Sequence, residues 1–409
     1  MGVGDLSRAN SIRILDQLMT FGPTSRTDLG RALVLAPATV NRLTSRLVEV
    51  GMVVDTGATA TTGGRPSVLV DVNRRHRLLL TVDVADHHTS VALADLAGRL
   101  LHRWDRPTSG SPEERYAGVF EQVAGVLEEL DAPATGGAEW WASERASPSS
   151  SEGTLRDRVV AVGVSVPGPV ADDGAVLFAP ALGWHDQPLR ADLERSAGIP
   201  VVVENDANLI ALAEHLSGHW GATKSLVAIA VFDGIGSGII EDGRLWRGAS
   251  GAAGQIGRLL VEKESLSNEY TGFGDFESHI GSASLVRRAR AMGIPDTAEA
   301  PLDADGIVAR YAAGDLAARG LMDEVLDEFA VSLVNVCALL APEVIVFSGL
   351  FDRWGSVVLP GLRDRLRGHV VHVPVLAPGA VGGDAALIGA AHLAFDRVGG
   401  VAGLLPESV

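Results

Sequence analysis

Residues 199–216 read IPVVVENDANLIALAEHL, which predicts a strand that runs directly into a helix. The apolar run 199–203 is typical of a buried strand, and residues 209–216 place apolar side chains at helical spacing. Asn205 and Asp206 fall at the turn between the two elements. Three roles for Asp206 are therefore possible: a catalytic base, a ligand-binding group, or only a cap of the helix.

Length and composition narrow the class of protein. A chain of 409 residues exceeds one ordinary hydrophobic core and predicts two or three domains. A single cysteine, Cys337, excludes an intramolecular disulfide and a zinc site rich in thiolates. No apolar run is long enough to cross a bilayer, and the N-terminus lacks the pattern of a signal peptide. We expect a cytoplasmic protein with no membrane partner.

Charge is distributed unevenly along the chain. Residues 1–77, called the head below, contain ten Arg and no Lys against six acidic residues. The remaining residues, called the body, bring the net charge of the whole chain to −17. A basic head on an acidic body predicts that only the head contacts a polyanion.

The head contains three short helical patterns. Residues 7–21 form the first, residues 25–33 form the second with Ser25 as its N-cap, and the third runs from Pro37 to a stop at Gly51. A short helix, a tight turn and a longer helix form a helix-turn-helix. Ala36, the residue before Pro37, is a poor N-cap.

The third helix has one apolar side and one side suited to DNA. Its apolar side consists of Val40, Leu43, Leu47 and Val50. The predicted DNA-binding side chains on the other side are short or hydrogen-bonding, namely Ala38, Thr39, Asn41, Arg42, Ser45 and Arg46. In a major groove, arginine can read guanine, asparagine can read adenine, and an alanine or threonine methyl can contact thymine. The alternative is an ordinary solvated helix face.

Residues 52–72 predict two short strands around a Gly- and Thr-rich tip, which together would form a wing. Arg65 lies in this tip, and arginine is favoured in a minor groove. The alternative for Arg65 is a solvated loop charge. The head is therefore predicted to be a winged helix-turn-helix.

The body begins with alternating strands and helices. Residues 78–104 predict three consecutive strands, a helix follows at 112–130, and the Gly-, Ser- and Pro-rich stretch 131–154 reads as an inserted loop. The alternation predicts an α/β fold.

Three stretches of the body carry a family resemblance. They are VGVSVPGPVADDGAVLFAPALGWHDQPLRADLERSAGIPVVVENDANLIALAEH (162–215), DGIGSGIIEDGRLWRGASGAAGQIG (233–257) and LAPEVIVFSGLF (340–351). Together they closely resemble the ROK family of repressors, open reading frames and sugar kinases, over residues 78–397. The winged head with its TGGRP tip is similar to the repressor branch.

The resemblance implies two lobes of the actin/hexokinase type, which is ribonuclease H-like, around a cleft, and a homodimer or tetramer. It divides the chain into a winged head (1–77), a first lobe (78–200) and a second lobe (201–409), with the C-terminal helix returning to the first lobe.

The resemblance also bears on kinase activity. Family kinases carry an Asp-x-Gly-Gly-Thr turn, but residues 83–87 read DVADH. Their second phosphate loop is Gly-Thr-Gly-x-Gly-x-Gly, but residues 232–238 read FDGIGSG. Added carboxylates and a phenylalanine ring argue against a bound triphosphate, because phosphate loops rely on backbone amides and a metal. We therefore expect no enzyme activity and no cofactor.

The family zinc site is predicted to be lost. Its ligands are one histidine and three cysteines, whereas this chain has Arg258 at the histidine position and no cysteine in residues 265–277. No bound metal is expected.

The family's sugar pocket is partly kept. The predicted ligand-binding residues are Asn205, Asp206, Gln255, Arg258 and Glu277, with Gln255 and Arg258 replacing a glutamate and the histidine of the family. Arg258 indicates an anionic ligand, such as a phosphorylated or acidic sugar. Alternatively it forms an ion pair with Asp206 or Glu277 and fills an empty pocket. Without a nucleotide site, Asp206 is expected to be a degenerate base.

The sequence thus predicts a transcriptional regulator, a kinase-inactive repressor that binds a palindromic double-stranded DNA operator and senses a sugar or a sugar-derived effector. Two alternatives remain. One is a sugar kinase with a vestigial head, and the other is a regulator without a ligand that signals through a protein partner at the 131–154 loop.

Overall fold

The computed structural model describes residues 3–60, 67–131, 154–232, 234–297 and 301–406. Arg65 at the wing tip and nearly all of the predicted inserted loop lie outside these ranges.

The head consists of three helices and a small antiparallel sheet in which β3 lies between β1 and β2. The elements are α1 (Val3–Phe21), β1 (Thr24–Ser25), α2 (Arg26–Leu33), α3 (Pro37–Glu49), β2 (Val53–Ala60) and β3 (Ser67–Val72). Ser25 accepts the backbone N–H of Asp28 at 3.1 Å, which confirms it as the N-cap of α2. Ala36 offers no such bond to α3, and α1 begins four residues before the predicted start.

The first sheet of the body has the strand order β10-β7-β4-β5-β6, with β10, β7 and β4 parallel. The three predicted consecutive strands are β4 (Leu78–Val84), β5 (His88–Ala94) and β6 (Leu100–Pro107). Helices α4 (Pro112–Asp131) and α5 (Leu189–Ala197) follow in the chain, with the strands β7 (Val159–Val166), β8 (Val176–Ala179), β9 (Trp184–Gln187) and β10 (Val201–Asn205). Strands β8 and β9 form a separate hairpin.

The second sheet has the order β13-β12-β11-β14-β15, with β11, β14 and β15 parallel. Its strands are β11 (Ser225–Val231), β12 (Ile235–Glu241), β13 (Arg244–Leu245), β14 (Val344–Gly349) and β15 (Val375–Pro378). The helices of this part are α7 (Asp275–Ile280), α8 (Ser282–Ala291), α9 (Ala304–Ala313), α10 (Leu316–Leu340) and α11 (Leu350–Leu366). Both sheets thus end their parallel strands toward one cleft.

Two helices, α6 (Asp206–Ser217) and α12 (Ala385–Arg397), lie between the sheets. Helix α6 packs on β11 and β12, and α12 packs on β4, β7 and β10. The two helices touch backbone to backbone, because a Cβ on Gly389 would lie 2.0 Å from the carbonyl oxygen of Leu209. A Cβ on Gly163 would lie 2.2 Å from the carbonyl oxygen of Ala390. Larger side chains at these glycines would push the layers apart.

The last helix, α13 (Gly400–Leu404), packs on α1 of the head. Val401 and Leu405 are buried in the same hydrophobic cluster as the head helices. Arg8 of α1 donates hydrogen bonds to the carbonyl oxygens of Ala402 and Pro406 at 3.0 and 2.9 Å. The end of the chain thus completes the core of the head, a contact that was not predicted from the sequence.

The predicted division into a head and two lobes stays a proposal, but the sheets indicate a different boundary between the two lobes. Residues 201–205, which the predicted division places in the second lobe, form strand β10 at the edge of the first sheet. A limit after residue 205 therefore fits the sheets better than one at residue 200. Within the described ranges, no helix has the length and apolar character needed to span a membrane.

Candidate functional site

Helix α3 presents the two sides that its sequence predicts. Val40, Leu43 and Leu47 are fully buried against the other head helices, and Val50 is half-buried. On the opposite side four of the predicted DNA-binding side chains are exposed and two are partly exposed: Ala38, Asn41, Arg42 and Ser45, and then Thr39 and Arg46.

A polar contact behind α3 fixes its position and was missed by the sequence analysis. The buried Thr44 hydroxyl donates to the carbonyl of Val40 at 2.8 Å and accepts Arg26 Nε at 3.1 Å. Arg26 also pairs with Asp55 of β2 at 3.0 Å. In contrast, Arg42 and Arg46 have no hydrogen bond or ion pair with the rest of the described chain. Their guanidinium groups are free to bind an external acceptor.

The second candidate site is the cleft between the two sheets, with a cavity volume of about 330 Å³. All five predicted ligand-binding residues line it: Asn205, Asp206, Gln255, Arg258 and Glu277. They come from the β10–α6 turn, the loop after β13 and the start of α7. The cavity falls within the range of about 300–1,000 Å³ that is usual for small-molecule sites.

Asn205, and not Asp206, is the N-cap of α6. The Asn205 side-chain oxygen accepts the backbone N–H of Asn208 at 3.2 Å, and its Nδ2 donates to the carbonyl of Gly168 at 3.1 Å and to Asp206 Oδ1 at 2.8 Å. Asp206 Oδ1 accepts this Asn205 amide and the adjacent N–H of Ala207, the latter at 2.7 Å. The cap-only interpretation of Asp206 is therefore wrong, and its second carboxylate oxygen remains available in the cleft.

Three carboxylates, those of Asp83, Asp206 and Glu277, line this cleft. Burial, together with the nearby charges of Asp83 and Glu277, raises the pKa of Asp206 to about 7. Burial also raises the pKa of Asp83 and of Glu277. Asp83, which the sequence analysis did not select, is the aspartate kept at the start of the 83–87 turn. At neutral pH Asp206 can therefore accept a hydrogen bond from a ligand hydroxyl or donate one to it.

Glu277 and Gln255 differ in how much of their hydrogen bonding is already used. Glu277 accepts the backbone N–H groups of Ile235 at 2.6 Å and Gly274 at 3.1 Å, so its carboxylate helps to hold the cleft wall. The amide of Gln255 has no hydrogen bond to any described residue. Gln255 can therefore give both its donor and its acceptor to a ligand.

Arg258 lies exposed at the rim of the cleft. Its guanidinium donates to the carbonyls of Tyr270 at 3.5 Å and Gly272 at 3.3 Å, and lies 5.5 Å from the centre of the Phe178 ring. No ion pair joins it to Asp206 or Glu277 in the described part of the chain. Its charge still lowers the pKa of Glu277 from a longer distance, so the alternative differs from this geometry in requiring a direct ion pair that fills the pocket.

The turn at residues 83–87 is held by contacts within the chain, whereas Phe232 of the loop at residues 232–238 faces the cleft. Asp86 accepts Arg115 Nη1 at 2.7 Å, and the same nitrogen donates to the carbonyl of Ala181 at 2.9 Å. The Ala85 N–H donates to the carbonyl of His88 at 2.9 Å, which closes the first turn on itself. In the second loop, Phe232 lines the cleft and is 48% exposed.

Glu204 supports the β10–α6 turn through hydrogen bonds that were not predicted from the sequence. This buried side chain accepts the backbone N–H of Asn205 at 2.8 Å and Asn208 Nδ2 at 2.9 Å. Its other oxygen lies 2.7 Å from Arg247 Nε, and Arg247 also pairs with Asp172 at 2.8 Å. The signal in the sequence was a charged residue, Glu204, directly after the apolar run 199–203.

The described residues contain no group of three or more His, Cys, Asp or Glu side chains placed to hold a metal ion. In the segment after Arg258, the buried Asp275 carboxylate accepts the backbone N–H of Val261 at 2.7 Å and the hydroxyl of Tyr270. These bonds tie the loop that bears Arg258 to helix α7.

Comparison with known proteins places these sites in context. The chain is 27% identical over 371 residues to a putative xylose repressor of Caldicellulosiruptor sp. strain Rt8B.4, covering 88% of this chain and 87% of that protein. It is 26% identical over 334 residues to a glucokinase of Halalkalibacterium halodurans, covering 78% of this chain and 94% of the glucokinase.

Among solved structures, a ROK family transcriptional regulator described as a homologue of the Escherichia coli MLC protein superposes with a TM-score of 0.76 at 22% identity. That alignment covers 97% of this chain and 98% of the other, which shows a shared fold that includes the head. The family model for the ROK family matches residues 147–397, more than half of the chain. The chain belongs to the ROK family.

Proposed function

We propose that this protein is a DNA-binding transcriptional regulator, a repressor whose affinity for DNA depends on a sugar bound in the interlobe cleft. The observation that carries this proposal is the exposed side of α3, on which Arg42 and Arg46 have no partner in the described chain. The similarity to a putative xylose repressor over 88% of this chain supports it.

The head suggests how DNA is read. In helix-turn-helix proteins the second helix of the motif enters the major groove and its exposed side chains contact base edges. A homodimer would present two copies of α3 to two half-sites of a palindrome, one helical turn apart. The dimer and the palindromic operator are parts of the proposal.

The cleft suggests a ligand rich in hydroxyl groups. Asp83, Asp206 and Glu277 supply acceptors, and the unpartnered amide of Gln255 supplies both a donor and an acceptor. Three carboxylates disfavour an anion at the centre of the cleft, while Arg258 lies at its rim. This arrangement supports a neutral sugar more than a phosphorylated or acidic one.

A sugar kinase is the second candidate, favoured by Asp206 with its pKa near 7 and by the similarity to a glucokinase. Against it, Phe232 stands in one phosphate loop and Asp86 in the other, and Arg258 is the one Lys or Arg among the cleft-lining residues that the structure describes. We propose that the protein is not a kinase. Sugar-dependent ATP turnover that disappears in Asp206→Asn would restore the kinase assignment.

The end of the chain supplies a connection between cleft and head. Gly382, Gly383, Ala385 and Ala386, at the start of α12, line the cleft. At the other end of α12, residues 400–406 pack into the head core. We propose that ligand binding shifts α12 and with it the head, which changes the fraction of protein that is competent to bind DNA.

The decisive test is the binding of purified protein to a pool of genomic fragments at fixed salt concentration. Wild type is expected to enrich a small set of fragments, and Arg42→Ala is expected to lose at least about tenfold in affinity for them, because a guanine-reading arginine contributes about 1–3 kcal/mol. Arg195→Ala, at an exposed arginine on α5, removes the same charge from the body and is the matched control. If both variants enrich the same fragments as wild type with equal affinity, α3 does not read DNA.

A further inference from the structure

The cleft has a second wall that the proposed sugar contacts do not use. It is formed by the ends of β11 and β14, the start of β12 and the start of α12, with the lining residues Ala230, Phe232, Gly236, Ser348, Gly383 and Ala386. These side chains are small or apolar, and they include no cation. This wall therefore provides an apolar surface with one aromatic ring and one hydroxyl group, but no positive charge that could balance phosphate groups.

Ser348 provides the hydroxyl. It is 2% exposed, it lies next to the last residue of β14, and its Oγ has no hydrogen-bond partner in the described structure. An unpaired buried hydroxyl is unfavourable, because it has lost its hydrogen bond to water without gaining another. Ser348 lines the cleft but its Oγ is buried, so a ligand hydroxyl pairs with it only when this wall shifts on binding.

Phe232 provides the ring. Its backbone is fixed, because its N–H donates to the carbonyl of Gly234 at 3.0 Å and its carbonyl accepts the Ser282 hydroxyl at 2.8 Å. The ring lies against Gly349, where a Cβ would approach it to 3.0 Å. Nearly half of this side chain remains exposed in the cleft. Since the C–H face of a sugar ring is apolar, covering Phe232 with such a face would bury apolar surface from both partners.

The carboxylates also select against a nucleotide on this side. Asp83 and Asp206 lie in the same cleft, and each raises the cost of a neighbouring negative charge. Both can accept hydrogen bonds from neutral hydroxyl groups. The chemistry of the second wall therefore matches a second sugar ring better than it matches a triphosphate.

We infer that the effector is a disaccharide or the end of an oligosaccharide, with one ring on Asn205, Asp206 and Gln255 and the next ring on Phe232 within reach of Ser348. This inference rests on the proposed sugar-sensing function and specifies its ligand class. It makes Phe232, which replaces a glycine of the kinase loop, a residue that determines ligand specificity.

The test is isothermal titration calorimetry of the full chain with matched pairs of sugars. The pairs are xylose and xylobiose, glucose and cellobiose, and N-acetylglucosamine and N,N′-diacetylchitobiose, with magnesium AMPPNP as a further probe. In at least one pair the disaccharide is expected to bind at least about tenfold more tightly than its monosaccharide, the scale of one well-buried apolar face. Phe232→Ala should remove that advantage and leave monosaccharide affinity within about twofold.

Two further variants complete the design. Ser348→Ala should weaken the disaccharide by about fivefold, the value of one hydrogen bond. Phe21→Ala, at an exposed phenylalanine of the head, should change neither sugar affinity.

Several outcomes would overturn the inference. Equal affinity for both members of every pair would leave sugar sensing intact and remove the second ring, as would a Phe232→Ala variant that retains the full disaccharide advantage. Tight binding of magnesium AMPPNP would assign the second wall to a nucleotide instead. If none of these sugars binds while sequence-selective DNA binding persists, the sugar-sensing part of the proposed function fails and this inference fails with it.

Discussion

At the scale of single residues, Asp206 shows how position and protonation combine. Its backbone is set by the Asn205 cap below it, while burial and two neighbouring carboxylates bring its pKa to about 7. A group whose folded pKa lies above its unfolded value of 3.8 binds its proton more tightly in the folded state. The folded state therefore loses stability as the pH rises from about 4 toward 7.

Asp206→Asn should remove this loss. The asparagine oxygen can still accept the N–H of Ala207 and the amide of Asn205, so the geometry is preserved. The variant is expected to be more stable than wild type at pH 8, by on the order of 2–4 kcal/mol, and to approach wild type at pH 4. Thermal unfolding of both proteins across this pH range measures the difference.

Asp173→Asn is the control for this experiment, because Asp173 is exposed in a turn where asparagine can make the same bond to the N–H of Ala175. A stability difference between Asp206→Asn and wild type that did not change with pH would show that the carboxyl group is not protonated as proposed.

At the scale of elements, local patterns were sufficient to predict helices and their faces. The spacing of Val40, Leu43 and Leu47 identified the buried side of α3, and Ser25 identified the start of α2. Local patterns could not predict contacts between residues far apart in sequence. Arg26 binding Thr44, and Arg258 binding the carbonyls of Tyr270 and Gly272, depend on how the elements pack.

The start of α3 has no side-chain N-cap. Ala36 has the extended backbone of an N-cap but no side-chain acceptor, so Ala36→Ser should add one bond and stabilise α3 by about 1 kcal/mol. Hydrogen exchange of the α3 amides is expected to slow by about fivefold. Ala32→Ser inside α2 is the control and should slightly destabilise its helix, because serine is a poorer helix former than alanine. Equal exchange in wild type and Ala36→Ser would show that the cap does not limit α3.

At the scale of the whole molecule, the head is built from two distant parts of the chain. Leu405 is 3% exposed and lies in the same cluster as Ile14, Leu18 and Leu47. The sequence division placed residue 405 in the second lobe, since no local pattern indicates which distant surface a short apolar segment will cover. The family resemblance gave the fold of the lobes but not this contact.

Leu405→Ala should weaken the head selectively. Removing a buried leucine side chain costs about 2–5 kcal/mol, so amides in α1 and α3 are expected to exchange faster, while amides in β7 and β11 keep their rates. Leu339→Ala, at an exposed leucine of α10, should have little effect. Uniformly faster exchange throughout the chain, or no change in α1 and α3, would argue that residues 400–406 do not stabilise the head separately from the body.

The contact between residues 400–406 and the head also determines the order in which the protein can fold during synthesis. The first 72 residues leave the ribosome early and, as N-terminal domains generally do, can begin to fold at once. Their core still lacks Val401 and Leu405, which emerge only after residues 78–400. A nascent or prematurely terminated chain therefore has an incomplete head core. We expect full affinity for the operator only in chains whose sensing lobes have already been synthesised.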